Sequence, residues 1–305
     1  MHLPHIVRRT GAALLAISAM TLPLSASATT SILFVGNSFT FGSPAGGLPL
    51  VQNFRPHTVT DLNGTSIGGV PALFKAMTVQ AGLDYDVSLE TEPGAGLDFH
   101  HDSKLNTIAR PWDIVVLQSY STLDGAAPGD PGKLIKYSGL LARAFHQQNP
   151  KVDVRLNATW SRADQTYLPS GAWHGKPVGQ MALDVRRGYD AAHAASALIK
   201  GVIPVGEAWN RAIASGVADA NPYDGITPGQ VNLWAPDAYH GSTYGYYLEA
   251  LTIFGSVTGH DPRRFGAGDA IARELRIDPH IASALQTIAA EQLAAEQKAL
   301  EPALP

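Results

Sequence analysis

Short runs of apolar and β-branched residues alternate along this chain with longer segments in which apolar positions recur every three or four residues. The runs Ser31 to Val35, Tyr85 to Glu90, Asp113 to Gln118, Val152 to Ala158 and Val202 to Val205 read as strands. Helical spacing fills the gaps at Val70 to Ala81, Lys133 to Gln148 and Val178 to Lys200, and continues after the last strand over Glu207 to Ser215. A run such as DIVVLQ is apolar without alternation, which suits a strand covered on both faces. Together with the strand-helix order it predicts an α/β domain on a doubly wound parallel sheet. No repeat or low-complexity linker divides residues 29–305, which read as one domain. The closing stretch IASALQTIAAEQLAAEQKAL places Ile281, Leu285, Ile288 and Leu293 on one helical face. That helix is expected to pack on its own domain in a monomer, with a dimer contact as the alternative.

The first 28 residues break the pattern. Arg8 and Arg9 precede an apolar stretch from Gly11 to Leu24, and Ala26-Ser27-Ala28 offers a small-residue cleavage site, the layout of an export signal. Pro23 and the interspersed Ser, Thr and Gly residues argue against a membrane-spanning helix, which needs about 20 apolar residues. A periplasmic or secreted protein without a stable membrane anchor is therefore expected. The 305-residue chain has no cysteine, which removes disulfides, thiolate metal ligands and a catalytic thiol together. Its net charge is −4, and loss of Arg8 and Arg9 makes it more negative. With no run of Lys or Arg, nucleic acid is not an expected partner.

In open parallel sheets the ligand site lies beyond the carboxyl ends of the strands. That rule singles out Gly36 to Ser38, Gly94 and the residues after it, Gln118 to Ser121 and Thr159 to Ser161. Two serines compete as nucleophile. GTSIG around Ser66 spells the Gly-x-Ser-x-Gly elbow, but too few residues precede it to build the strands such an elbow follows, and Asn63-Gly64 is a turn signal. Ser38 in FVGNSFTFG instead ends the first strand. A serine needs a base, and among eleven histidines His240 has the best surroundings. In APDAYHGSTYGYYLEA, Asp237 stands three residues before it, close enough to hold one ring nitrogen while the other faces a serine.

ILFVGNSFTFG, a glycine in EPGAGLDFHH, the polar end of DIVVLQS and the late block DAYHGSTYGYYLEA together resemble the SGNH/GDSL hydrolase family, in the branch whose first block reads Gly-Asn-Ser-Phe-Thr. The resemblance implies a three-layer, flavodoxin-like sheet, a Ser38 nucleophile, a His240 base and an orienting Asp237. It also implies an oxyanion hole from the backbone N–H of Ser38, the N–H of Gly94 or nearby Gly96, and the side-chain amide of Gln118. Two positions depart from the family pattern: Asn37 replaces an acidic residue, and Gln118 stands where an asparagine is usual.

The implied activity is carboxylic ester hydrolysis through an acyl-enzyme; the export-type leader and the aromatic residues of the 160–177 connection make small acyl groups such as acetyl on carbohydrate the preferred substrate class. A glycan-binding module with little turnover, or an acyltransferase, is the alternative. Trp160, Tyr167 and Trp173 lie in a long connection at the sheet rim and are candidates for stacking on a sugar. His100-His101-Asp102 does not read as a metal site, because adjacent side chains diverge. No metal or other cofactor is expected.

Overall fold

The computed structural model describes residues 1–2, 28–43 and 50–300. The proposed signal segment therefore lies almost wholly outside the described residues. Six parallel strands form one sheet in the order β2-β3-β1-β4-β5-β6. They are β1 (Thr30–Gly36), β2 (Thr60–Asp61), β3 (Tyr85–Thr91), β4 (Ile114–Leu117), β5 (Asp153–Ala158) and β6 (Ile199–Pro204). The chain leaves β1 toward β3 on one side and returns to β4 on the other. The order thus reverses at β1, and its carboxyl end opens into the crevice where such sheets bind ligands.

Successive side chains on a strand point to opposite faces, so each strand feeds two cores. Ile32 and Phe34 of β1 face one side, where they meet α2 (Gly69–Gln80), α7 (Val205–Ala214), α8 (Thr243–Thr258) and α10 (Pro279–Leu300). Leu33 and Val35 face the other, against α3 (Leu97–Ile108), α4 (Gly132–Gln148) and α6 (Gln180–Ala194). The three layers follow directly, and α10 packs on α7 and α8 of its own chain. The remaining helices are short: α1 (Ser38–Phe41), α5 (Ala163–Tyr167) and α9 (Ala270–Glu274).

Three local departures from the sequence expectation have physical causes. The segment LDFHHDSKLNTI forms α3 although it carries only three strongly buried side chains, Leu97, His100 and Ile108, too few for a helical period to show. The helix expected over 178–200 ends at Ala194, because Ile199 and Lys200 already belong to β6. The two-residue β2 is too short to leave any sequence period. Among the described residues, no helix is long and apolar enough to cross a membrane.

Candidate active site

Ser38 is the first residue of α1, immediately beyond β1. The strand-to-helix turn at this point is held by Asn37. Its Oδ1 accepts the Phe39 N–H at 3.1 Å, and its Nδ2 donates to the carbonyls of Ala95 (2.7 Å) and Ser119 (3.3 Å). One neutral amide therefore caps the helix and ties the segments that follow β3 and β4 to the turn, which an aspartate, with acceptors only, would not do. Gly36 is required just before it: a Cβ there would lie 2.6 Å from Gln118 Oε1 and closer still to Thr40.

The Ser38 hydroxyl lies 2.8 Å from His240 Nε2, and His240 Nδ1 lies 2.7 Å from Asp237 Oδ2. Asp237 is placed by its own backbone, since Oδ1 accepts the N–H groups of Tyr239 (3.1 Å) and His240 (3.0 Å). The Asp-x-x-His spacing works because this tight turn brings the carboxylate under the ring. Burial alone would raise the Asp237 pKa, but the bonds from the His240 ring and from these two N–H groups outweigh it and hold the carboxyl below its ordinary range. A carboxylate that stays ionised keeps Nδ1 protonated and leaves Nε2 free to take the serine proton. Ser38 and His240 are 6% and 8% exposed, so the proton would move in a largely dry setting.

Aromatic packing fixes the imidazole plane. Tyr239 stacks on His240 at 4.0 Å between centroids, and Phe39 sits 5.8 Å away on the way to Trp160. Above Tyr239, the Arg162 guanidinium lies 3.5 Å from the ring centroid while forking onto Asp164. A cavity of about 270 Å³ is lined by Asn37 and Tyr239, the residues just before Ser38 and His240, with Gly94, Tyr120, Ser121 and Arg162 among others. Gly94 has φ +69°, a left-handed conformation that leaves its exposed backbone available at the cavity wall. The alternative, Gly96, is buried under the Tyr120 ring, which an added Cβ would strike at 2.2 Å.

Two expectations need correction. Gln118 is bound into the base of the turn: its Oε1 accepts the Asn37 N–H (2.9 Å) and the Thr40 hydroxyl (3.0 Å), and its Nε2 donates to the Ser119 carbonyl. Its longer side chain reaches under the strand end instead of presenting an amide beside Ser38. Trp160 is wholly buried, stacked on Trp209 at 4.4 Å with its Nε1 donating to the Tyr239 carbonyl, so no sugar can reach it. Tyr167 donates its hydroxyl to the Ala220 carbonyl, and Trp173 donates Nε1 to Asp184; neither lines the cavity beside Ser38. The aromatic residues that do are Tyr120 and Tyr239.

Ser66 lies exposed at φ +60° in a loop organised by Asp61, which accepts the N–H groups of Thr65 and Ile67. Of the histidine pair on α3, His100 is buried against Glu90 and His101 turns to Asp102. Among the described residues, no group of three or more His, Asp or Glu is arranged to hold a metal ion. Arg162, Gln165 and Tyr120 line the cavity without a role assigned to them from the sequence. Arg162 follows the residues after the fourth strand, and Tyr120 is among those after the third, so the strand-end rule was the available signal.

No family model and no curated protein matches the chain. Solved structures do. A DUF4886 family protein from Bacteroides uniformis is 17% identical, with a TM-score of 0.58 over 88% of this chain and 96% of that one. A protein assigned as a GDSL-like lipase from Parabacteroides merdae is 14% identical, with a TM-score of 0.50 over 75% of this chain and 95% of that one. The chain thus has the three-layer α/β fold of a GDSL-like lipase, the architecture that its four sequence blocks led one to expect.

Proposed function

We propose that this protein is a serine hydrolase of carboxylic esters, exported from the cell, that removes small acyl groups such as acetyl from carbohydrate. The observation that carries the reading is the hydrogen-bonded chain from Ser38 through His240 to Asp237 at the carboxyl end of β1. His240 Nε2 takes the Ser38 proton as Oγ attacks the ester carbonyl, and Asp237 holds the resulting imidazolium. The backbone N–H groups of Ser38, at the start of α1, and of Gly94 are the donors assigned to the oxyanion. His240 then gives its proton to the departing alcohol. Water, deprotonated by the same nitrogen, attacks the acyl-enzyme, releases the acid and restores the serine.

The carbohydrate alcohol rests on the cavity's composition. Two tyrosines and the polar groups of Ser121, Thr122, Arg162 and Gln165 suit a polyhydroxylated group better than an acyl chain. Export rests on the signal-type residues at the amino end.

The test is hydrolysis of p-nitrophenyl acetate together with fluorophosphonate labelling. Ser38→Ala is expected to lose several orders of magnitude in kcat and all labelling, while Ser66→Ala keeps both. Full turnover by Ser38→Ala would overturn the proposal.

A further inference from the structure

The connection over 120–132 brings Tyr120, Ser121 and Thr122 to the cavity beside Ser38 and also walls a second hollow. That hollow, about 410 Å³, is lined by Pro128, Gly129, Ala172, Trp173, Lys176 and Arg187 among others. Pro128 borders both spaces. They are neighbouring depressions on the two sides of one ridge.

The ridge holds its shape without a ligand. Leu123 adopts φ +70°, which costs a non-glycine residue about 1–2 kcal/mol, and is held there by burial against α6, where a Cβ on Gly188 would come within 2.7 Å of it. Asp124 Oδ1 accepts the N–H groups of Ala126 (2.7 Å) and Ala127 (3.2 Å), and Lys133 pairs with the same carboxylate. The Thr122 carbonyl accepts the Gly129 N–H at 2.9 Å, closing the loop on itself. Such a ridge divides a binding surface without an ordering cost when a ligand arrives.

The second hollow combines an aromatic side chain with charged groups. Trp173, 4% exposed, reaches the hollow only with the rim of its ring, whose orientation is set by its bond to Asp184 at 2.8 Å. Lys176 and Arg187 stand exposed at the mouth, and Arg187 contacts Asp184 through only one of its terminal nitrogens. A narrow aromatic rim with two exposed cationic side chains at the mouth suits a ligand with a C–H edge and many oxygen acceptors. An acyl ester of a small alcohol would leave this space unused.

We propose that the second hollow is a distal subsite for a neighbouring sugar of an acylated oligosaccharide, whose ester sits over Ser38 and whose chain crosses the ridge at Pro128. The inference rests on the ester-hydrolase reading and names the length of its substrate.

The experiment compares kcat/KM on p-nitrophenyl acetate with kcat/KM on acetylated oligosaccharides of one to four sugars, in glucan, xylan and galacturonan series. At least one series is expected to gain tenfold or more with length. Ala172→Trp, which fills the hollow from an exposed position, removes that gain and leaves p-nitrophenyl acetate turnover at the wild-type rate. Lys176→Ala with Arg187→Ala reduces the gain in the same way. Equal kcat/KM at every length in all three series, or an undiminished gain in Ala172→Trp, overturns the subsite. If Ser38-dependent turnover of p-nitrophenyl acetate is itself missing, the ester-hydrolase reading fails instead. Calorimetric titration of deacylated tetrasaccharides into wild type and Ala172→Trp then still decides the subsite: loss of binding in the variant supports it, and equal or absent binding overturns it.

Discussion

Replacing Gln118 by leucine separates two roles that predict opposite results. In the structure Gln118 Oε1 accepts two buried donors, the Asn37 N–H and the Thr40 hydroxyl, in residues that are each 4% exposed. Leucine has similar bulk and no acceptor, so both donors lose their partner. A buried donor left unsatisfied costs about 1–3 kcal/mol, which makes Gln118→Leu destabilising by about 2–6 kcal/mol in urea unfolding. Thr40→Val removes one of those donors. Added to Gln118→Leu it should therefore cost less than it does alone, with a coupling of at least about 0.5 kcal/mol in a double-mutant cycle. Ester hydrolysis would also fall, because the turn that presents Ser38 loosens. If Gln118 instead worked only as an oxyanion donor, kcat would drop by about 10²–10³ with stability unchanged and no coupling to Thr40. That second pattern would refute the turn-holding role.

Glu249 on α8 supplies a pH-dependent test. It is wholly buried, accepts one bond from Asn157 Nδ2 at 2.7 Å, and its Oε2 has no partner among the described residues. Burial raises its pKa well above the ordinary value against the weaker opposing effect of the Asn157 bond. The native state thus keeps a proton that the unfolded chain releases. The stability from this group is full below the unfolded pKa, about 4.3, and is lost as pH rises toward the native value, by about 1.4 kcal/mol per pH unit. Glu249→Gln removes the proton requirement, so its stability relative to wild type should increase from pH 5 to pH 8 in urea unfolding; a constant difference would refute the neutral carboxyl. Trp160→Ala should cost about 3–5 kcal/mol as a core truncation, seen as a lower unfolding midpoint. A variant of unchanged stability with weakened glycan affinity would instead return Trp160 to the substrate.

Much of the architecture was legible in the chain because it depends on local composition. Apolar strands without alternation, such as IVVL in β4, require cover on both faces, and helical segments between strands supply it. Asp237 and His240 could be paired by eye because three residues and one tight turn bring their side chains together. Export, by contrast, is a reading of residues 1–28 alone, almost all of them outside the described structure.

Tertiary structure decided what spacing cannot encode, namely the direction in which a side chain points and what stands opposite it. Ser38 and His240 are 202 positions apart and meet only because β1 and the start of α8 converge on one rim. Gln118 and Trp160 have the right residue types at the right strand ends, yet one turns under the β1 turn and the other into the Trp209 stack. Arg162, Tyr120 and Tyr239 come from three separate connections and share a cavity that no single stretch of sequence contains. Backbone period reports burial along one element; the chemistry of a site depends on distances between elements, and those are set by the packed layers.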